Sequence, residues 1–171
     1  DKNQVALIKG VDKGYTDVVQ IEELIVSGNW FRNDFDEVVI GGGIANNLSL
    51  GVYDYTSFLT LSAPKRKGGL GLGKNPFKKE TALVSGIYFA NEELDKKYLF
   101  AKIDLAQRLL QRSPTDYSAI EIKTSGNPDL DLLSQKIKTI LKQEVTVLNR
   151  AQLNAALYKM LNTENLAVYL I

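Results

Sequence analysis

EVVIGGGIANNLSLGVYDYTSFLTL, residues 37–61, is the stretch that decides the fold. The apolar run Val38–Ile40 predicts a short buried strand. Gly41–Gly43 follow, and we expect them to form a tight turn with positive φ angles. A short helix beginning near Ile44 and a second strand at Phe58–Leu61 complete the unit. The stretch therefore predicts a strand, a turn, a helix and a strand around which the rest of the chain is organised.

The three glycines would also suit a phosphate cradle, because a glycine-rich turn between a strand and a helix binds phosphate in dinucleotide-binding proteins. That fingerprint requires glycine at the position of Asn46 and an acidic residue about 20 positions later, at the end of a second strand. This sequence meets neither requirement, and it also lacks the Gly-Lys-Ser/Thr of a P-loop. The pattern favours a structural turn over a nucleotide site.

The composition excludes several classes of function. The 171 residues are 44% hydrophobic and 24% charged, which is typical of a globular protein, and the net charge of +1 gives no indication of a nucleic-acid partner. The chain has neither Cys nor His, so Ser-His-Asp triads, cysteine nucleophiles and the common zinc sites cannot form. We therefore expect no enzyme activity, no metal and no cofactor.

Residues 1–112 are predicted to form a β-rich lobe with short helices, and the fold class is predicted to be α+β. Trp30 and Phe31 are expected in a loop that covers the edge of the core. The patterns predict strands at Val5–Val11, Thr81–Phe89 and Tyr98–Ala101, helices at Asp17–Val26 and Leu105–Gln111, and a polar turn at Asn91–Lys97.

A boundary at Ser113–Asp116 separates this lobe from residues 113–150, which are predicted to form a βαβ-like unit of a second lobe. Its strands are expected at Ala119–Lys123 and Val145–Leu148, with a helix at Asp129–Leu141 between them. Residues 151–171 predict a helix that becomes apolar on all sides. Because the sequence stops within this apolar run, we expect it to lead toward a transmembrane segment, although no run within the 171 residues is long enough to span a bilayer.

The segment Pro64–Lys79 is basic and rich in glycine, and it predicts a long loop or the tip of a hairpin. A solvated loop and a partner-binding tip are both compatible with it, whereas lipid headgroups and nucleic acid are less favoured. The residues we assign to partner binding are Lys65, Arg66, Lys67, Leu70, Leu72 and Phe77.

Short motifs follow one another in order along residues 8–111. They are Gly10-Val11-Asp12, Leu24–Gly28, Val39–Asp54, Val84–Tyr88, Asp95 and Leu105–Leu110. In order and spacing, the set resembles the extracytoplasmic domain of ABC-transporter permeases of the lipoprotein-releasing (LolC/LolE-like) and MacB-like superfamily, to which FtsX-type permeases also belong. The family usually has glycine where this chain has Ser49 and Tyr53.

The resemblance implies a MacB-like periplasmic core domain, held between two transmembrane helices at the periplasmic face of the bacterial cytoplasmic membrane. It implies a non-catalytic role, in which the domain couples the motion of the membrane helices to release or export of a lipoprotein or another substrate. The implied partners are a cytoplasmic ATPase subunit, a second copy of the permease or a sister permease, and a periplasmic lipoprotein carrier that meets a protruding loop. The alternative is a soluble extracytoplasmic binding or adhesion module without a transporter.

Overall fold

The computed structural model describes residues 2–32, 35–65, 75–126, 128–141, 145–149 and 151–153. The chain divides into two compact units, Asp1–Ile122 and Lys123–Ile171. Strands and short helices mix within the first unit, and the α+β class predicted from the sequence is confirmed. The finer division predicted at residues 112 and 150 stays a prediction.

The first unit is built on one mixed sheet of six strands. The strands are β1 (Leu7–Val11), β2 (Ile25–Gly28), β3 (Glu37–Gly41), β4 (Leu59–Pro64), β5 (Phe77–Tyr88) and β6 (Tyr98–Lys102). Their order is β1-β6-β3-β5-β2, and β4 pairs with the first half of the long strand β5. The helices are α1 (Tyr15–Val18), a 3-10 helix (Ile21–Leu24), α2 (Gly42–Leu48), α3 (Glu92–Lys97) and α4 (Ile103–Leu109).

Strand β3 is the centre of the core, as its apolar run predicts. All five of its residues are buried, because β3 runs parallel to β5 on one side and antiparallel to β6 on the other. Val38 and Ile40 belong to one hydrophobic cluster with α2 and α4. Val39 belongs to a second cluster, which includes Tyr88 and Phe100. The strand therefore contributes apolar side chains to both faces of the sheet.

The helix predicted at Asp17–Val26 is wrong. The segment forms the four-residue helix α1, a 3-10 helix and then strand β2. Val18, Val19, Ile25 and Val26 are β-branched, and such residues are restricted in a helix but fit a strand well. Pairing of β2 with β5 supplies the tertiary contacts that helical periodicity alone does not show.

The polar turn predicted at Asn91–Lys97 is instead helix α3. The side chain of Asn91 accepts a hydrogen bond from the Leu94 backbone N–H at 2.9 Å, which caps the helix. Two Glu–Lys pairs at i,i+4 spacing, Glu92 with Lys96 and Glu93 with Lys97, add to its stability. An Asn followed by acidic and then basic residues is therefore the local signal for this helix.

Of the elements predicted within residues 113–150, the helix at Asp129–Leu141 is confirmed as α5 (Leu130–Leu141). The strands predicted at 119–123 and 145–148 are wrong, since neither segment pairs with a strand in the part of the chain that the structure describes. Ile120 and Ile122 are 66% and 57% exposed, so alternation of apolar residues does not correspond to a buried face here. A segment with strand periodicity forms a strand only when another strand is available to pair with it.

Of the helix predicted at 151–171, residues 151–153 are helical and the remainder lies outside the described residues. Within the ranges that the structure describes, no helix is both long enough and apolar enough to cross a membrane.

Candidate functional site

The glycine-rich turn is required by close packing and not by backbone conformation. Gly41 has φ −68° and ψ 149°, so the positive φ angles predicted for the three glycines are wrong. A Cβ atom on Gly41 would lie 2.2 Å from the carbonyl oxygen of Asp95, and one on Gly42 would lie 2.1 Å from the ring of Phe89. The turn therefore lets α3 approach the junction of β3 and α2.

Asp95 is the α3 residue whose backbone contacts this junction, and its side chain is hydrogen-bonded nearby. Its carboxylate is buried and accepts a hydrogen bond from the Ala90 backbone N–H at 2.8 Å. The hydroxyl of Tyr88, also in this region, donates to the carbonyl oxygens of Leu94 and Tyr98 at 3.2 and 3.1 Å. Burial, together with the charge of Asp95, raises the pKa of Tyr88 far above its usual value, so this phenol stays neutral.

Helix α2 ends in a Schellman motif whose left-handed residue is Ser49, with φ 57°. The Leu50 N–H donates to the Ala45 carbonyl at 2.9 Å, and the Ser49 N–H donates to the Asn46 carbonyl at 3.3 Å. Tyr53, four residues later, is also left-handed, with φ 51°. Among the described residues, Gln111 is the other non-glycine residue with positive φ.

Residues of separate motifs contact one another at positions that require a small side chain. A Cβ on Gly10 would lie 2.5 Å from the Cβ of Ala106, and one on Gly28 would lie 2.1 Å from the carbonyl oxygen of Ser85. Gly28 also has φ +75°, which glycine adopts without strain. The motifs therefore pack β1 on α4 and β2 on β5.

Gln107 ties helix α4 to the chain that follows it. Its side-chain amide donates to the carbonyl oxygens of Pro114 and Asp116 at 3.2 and 3.0 Å. On the exposed side of the same helix, the Arg108 guanidinium donates to both carboxylate oxygens of Asp36 at 2.7 Å and to Asp104 at 2.9 Å. The pKa of Arg108 is raised, and the hydrogen bonds to the Asp36 carboxylate are the largest cause.

Two of the partner-binding residues predicted in the basic segment, Lys65 and Phe77, lie where the β4–β5 hairpin meets its connecting loop. Pro64 pairs with Phe77, and the Lys65 N–H donates to the Pro76 carbonyl at 2.8 Å. The structure thus places Lys65 directly after β4 and Phe77 at the start of β5, and both are exposed. The other predicted members, Arg66, Lys67, Leu70 and Leu72, lie outside the described residues.

A second cluster, around Arg32, was not predicted from the sequence. The Arg32 guanidinium lies 4.9 Å from the centroid of the Tyr53 ring, and the Asn29 amide donates to the Tyr53 hydroxyl at 3.2 Å. Nothing in the sequence links these residues, since they lie on two loops and make a contact that depends on the tertiary fold. In the residues that the structure describes, no group of three or more Asp or Glu side chains is arranged to hold a metal ion.

Searches of protein-family models and of curated proteins found no match to this chain.

Proposed function

We propose that this chain is the non-catalytic extracytoplasmic domain of an ABC-transporter permease. In this role it transmits the motion of membrane helices to a lipoprotein or another substrate on the periplasmic side of the bacterial cytoplasmic membrane. The full-length permease would bind a cytoplasmic ATPase subunit and pair with a second copy or a sister permease.

The observation that carries this proposal concerns Ser49 and Tyr53, the two positions where the chain departs from the family's glycines. Both have the left-handed backbone that glycine adopts most readily. This conformation adds evidence to the sequence match, because Ser and Tyr seldom adopt the left-handed backbone that glycine adopts readily. It supports the proposal that this chain follows the family's path through α2 and the loop after it.

The contacts between motifs support the same conclusion. Gly10 contacts Ala106, Gly28 contacts Ser85 and Gly41 contacts Asp95, each at a separation that excludes a larger residue. These contacts pack β1 closely on α4, β2 on β5 and β3 on α3, and close packing suits a domain that transmits force. In the proposal, residues 151–171 link the domain to the next membrane helix.

Membrane topology tests the proposal. The chain has no cysteine, so Lys13→Cys introduces one exposed thiol in this region of the natural full-length protein. We expect a membrane-impermeant maleimide to label Lys13→Cys in cells with a permeabilised outer membrane and an intact inner membrane. The protein should also stay with the membrane after an alkaline wash. Labelling only after the inner membrane is broken would refute the proposal, and release by the wash would favour the soluble binding module.

The hairpin loop is proposed to meet a periplasmic lipoprotein carrier. Changing Lys65, Arg66 and Lys67 together to Glu should weaken binding of the organism's carrier and leave the melting temperature unchanged. A matched triple variant, in which the exposed residues Lys13, Lys136 and Lys138 become Glu, changes the net charge equally at sequence positions outside the loop. Equal carrier binding by the two variants would remove this role from the loop.

A further inference from the structure

A groove of about 430 Å³ lies against strand β2 in the first unit. Ile25 and Gly28 of β2 form one part of its lining, and Trp30 and Phe31 form an aromatic part. The Trp30 and Phe31 rings pack together with centroids 4.5 Å apart, and both side chains are half-buried. The groove therefore combines strand backbone with a preformed aromatic surface.

Strand β2 is the last strand of the sheet, and it pairs with β5 alone among the described strands. Three of its four residues, Val26, Ser27 and Gly28, are exposed. An edge strand presents N–H and C=O groups that an extended peptide can pair with, and main-chain hydrogen bonds then supply much of the affinity. The edge beside the groove is thus suited to accept one more strand.

Arg32 lines the same groove and is held in place through its backbone. Its N–H donates to the Glu37 carboxylate, and its carbonyl oxygen accepts from the Lys102 ammonium. The guanidinium lies over the Tyr53 ring and forms no ion pair within the described part of the chain. A guanidinium stacked on a ring keeps its N–H groups available for two parallel hydrogen bonds to a carboxylate.

The Tyr53 ring contacts the Arg32 guanidinium, and the backbone of Tyr53 is strained. Its left-handed conformation is unfavourable for an aromatic residue, and strained residues are concentrated at binding and catalytic sites. Its N–H donates to the Val84 carbonyl at 2.8 Å, which fixes the ring relative to β5. Positioning of Arg32 and Asn29 gives a reason for tyrosine at a position where glycine would be unstrained.

We propose that the groove binds an extended peptide segment of a partner protein, which adds to the sheet beside β2 and places an acidic side chain on Arg32. An apolar side chain of the segment would pack on Trp30 and Phe31. Glu22 also lines the groove and would repel a second acidic residue, so the segment carries one acidic residue among apolar or basic ones. This site stands whether or not the chain belongs to a transporter.

The test uses a nine-residue peptide of alternating Val and Thr with Asp at its centre, and a matched peptide with Lys there. Trp30 is the one tryptophan of the chain, so its fluorescence reports on the groove. Amide NMR shifts should locate the peptide at residues 25–32. We expect the Asp peptide to bind about ten- to a hundredfold more tightly than the Lys peptide, because the charged hydrogen bonds to Arg32 are lost in the latter.

Three variants sharpen the test. Arg32→Glu should reverse the preference between the peptides, whereas Arg112→Glu, at an exposed arginine outside the groove, should leave it unchanged. Tyr53→Gly keeps a backbone that suits φ 51° but removes the support of Arg32, so it should weaken the Asp peptide without unfolding the domain.

The proposal is overturned if millimolar Asp peptide shifts no amide between residues 25 and 32. In that case the bulge in the β2–β5 pairing, between Ile25 and Ser27, serves to protect the edge from added strands. Equal binding of the two peptides, or an unchanged preference in Arg32→Glu, would also overturn it.

Discussion

Substitution of Gly41 by Ala tests whether close packing is what requires glycine after β3. The new Cβ would lie 2.2 Å from the Asp95 carbonyl oxygen, 2.5 Å from its Cα and 2.6 Å from its carbonyl carbon. All three are backbone atoms, so no side-chain rotation relieves the contact, and α3 must move by about 1 Å to restore ordinary packing.

The expected cost has two parts. Overpacking of this kind costs about 1–3 kcal/mol. Movement of α3 also weakens the buried hydrogen bond between the Asp95 carboxylate and the Ala90 N–H, which contributes about 1 kcal/mol. We therefore expect Gly41→Ala to lower the free energy of unfolding by about 2–4 kcal/mol. For a chain of this length, that corresponds to a loss of roughly 4–16 °C in Tm.

Gly51→Ala is the matched control. A Cβ at Gly51 would have no atom within 4 Å, and its φ is not in the left-handed region. Alanine there should be neutral or stabilise by about 0.4–1 kcal/mol, because it restricts the unfolded chain. Urea unfolding followed by Trp30 fluorescence measures both variants within the first unit. If Gly41→Ala lies within about 0.5 kcal/mol of Gly51→Ala, the close-packing explanation is refuted.

Three further substitutions follow from the described contacts. Ser49→Gly should stabilise by about 0.5–1 kcal/mol in urea unfolding, because its left-handed backbone suits glycine; a loss of stability would argue against the Schellman motif. Tyr88→Phe should cost about 1–2 kcal/mol at pH 7, since the part-buried carbonyls of Leu94 and Tyr98 lose the hydroxyl donor that they share. The raised pKa means that the folded state holds the Tyr88 proton longer than the unfolded state, so wild-type stability falls as pH rises above about 10. The difference in free energy of unfolding between the wild type and Tyr88→Phe should therefore become smaller between pH 10 and 11. A difference that stays constant over this pH range would contradict the burial of this phenol. Gln107→Ala should cost about 1–2 kcal/mol and speed amide exchange in the loop after α4, and unchanged exchange would show that Gln107 does not hold that loop.

Sequence patterns predicted the helices and strands whose hydrophobic periodicity agrees with the way they pack or pair in the fold. The apolar run Val38–Ile40 became the buried strand β3, and the helix at 129–141 became α5, which starts at Leu130. The hairpin predicted as one possibility for Pro64–Lys79 is confirmed by the pairing of β4 with β5. In these cases periodicity and the final environment favour the same structure.

Other features depend on contacts that no local pattern contains. The sequence predicts positive φ angles for the glycines at 41–43, whereas the requirement for glycine comes from close contacts with Asp95 and Phe89, about 50 residues away. The segment 119–123 has strand periodicity and lacks a partner among the described strands. The contact of Arg32 with Tyr53 depends on how two loops meet, so composition and spacing could not predict it.

Purification of the natural full-length protein from its own membranes tests the central proposal most directly. We expect the full-length protein to co-purify with a cytoplasmic ABC ATPase subunit in a fixed ratio, and we expect the complex to hydrolyse ATP. A full-length protein that leaves the membrane without detergent, or that purifies intact with no ATPase subunit, would contradict the assignment to a permease.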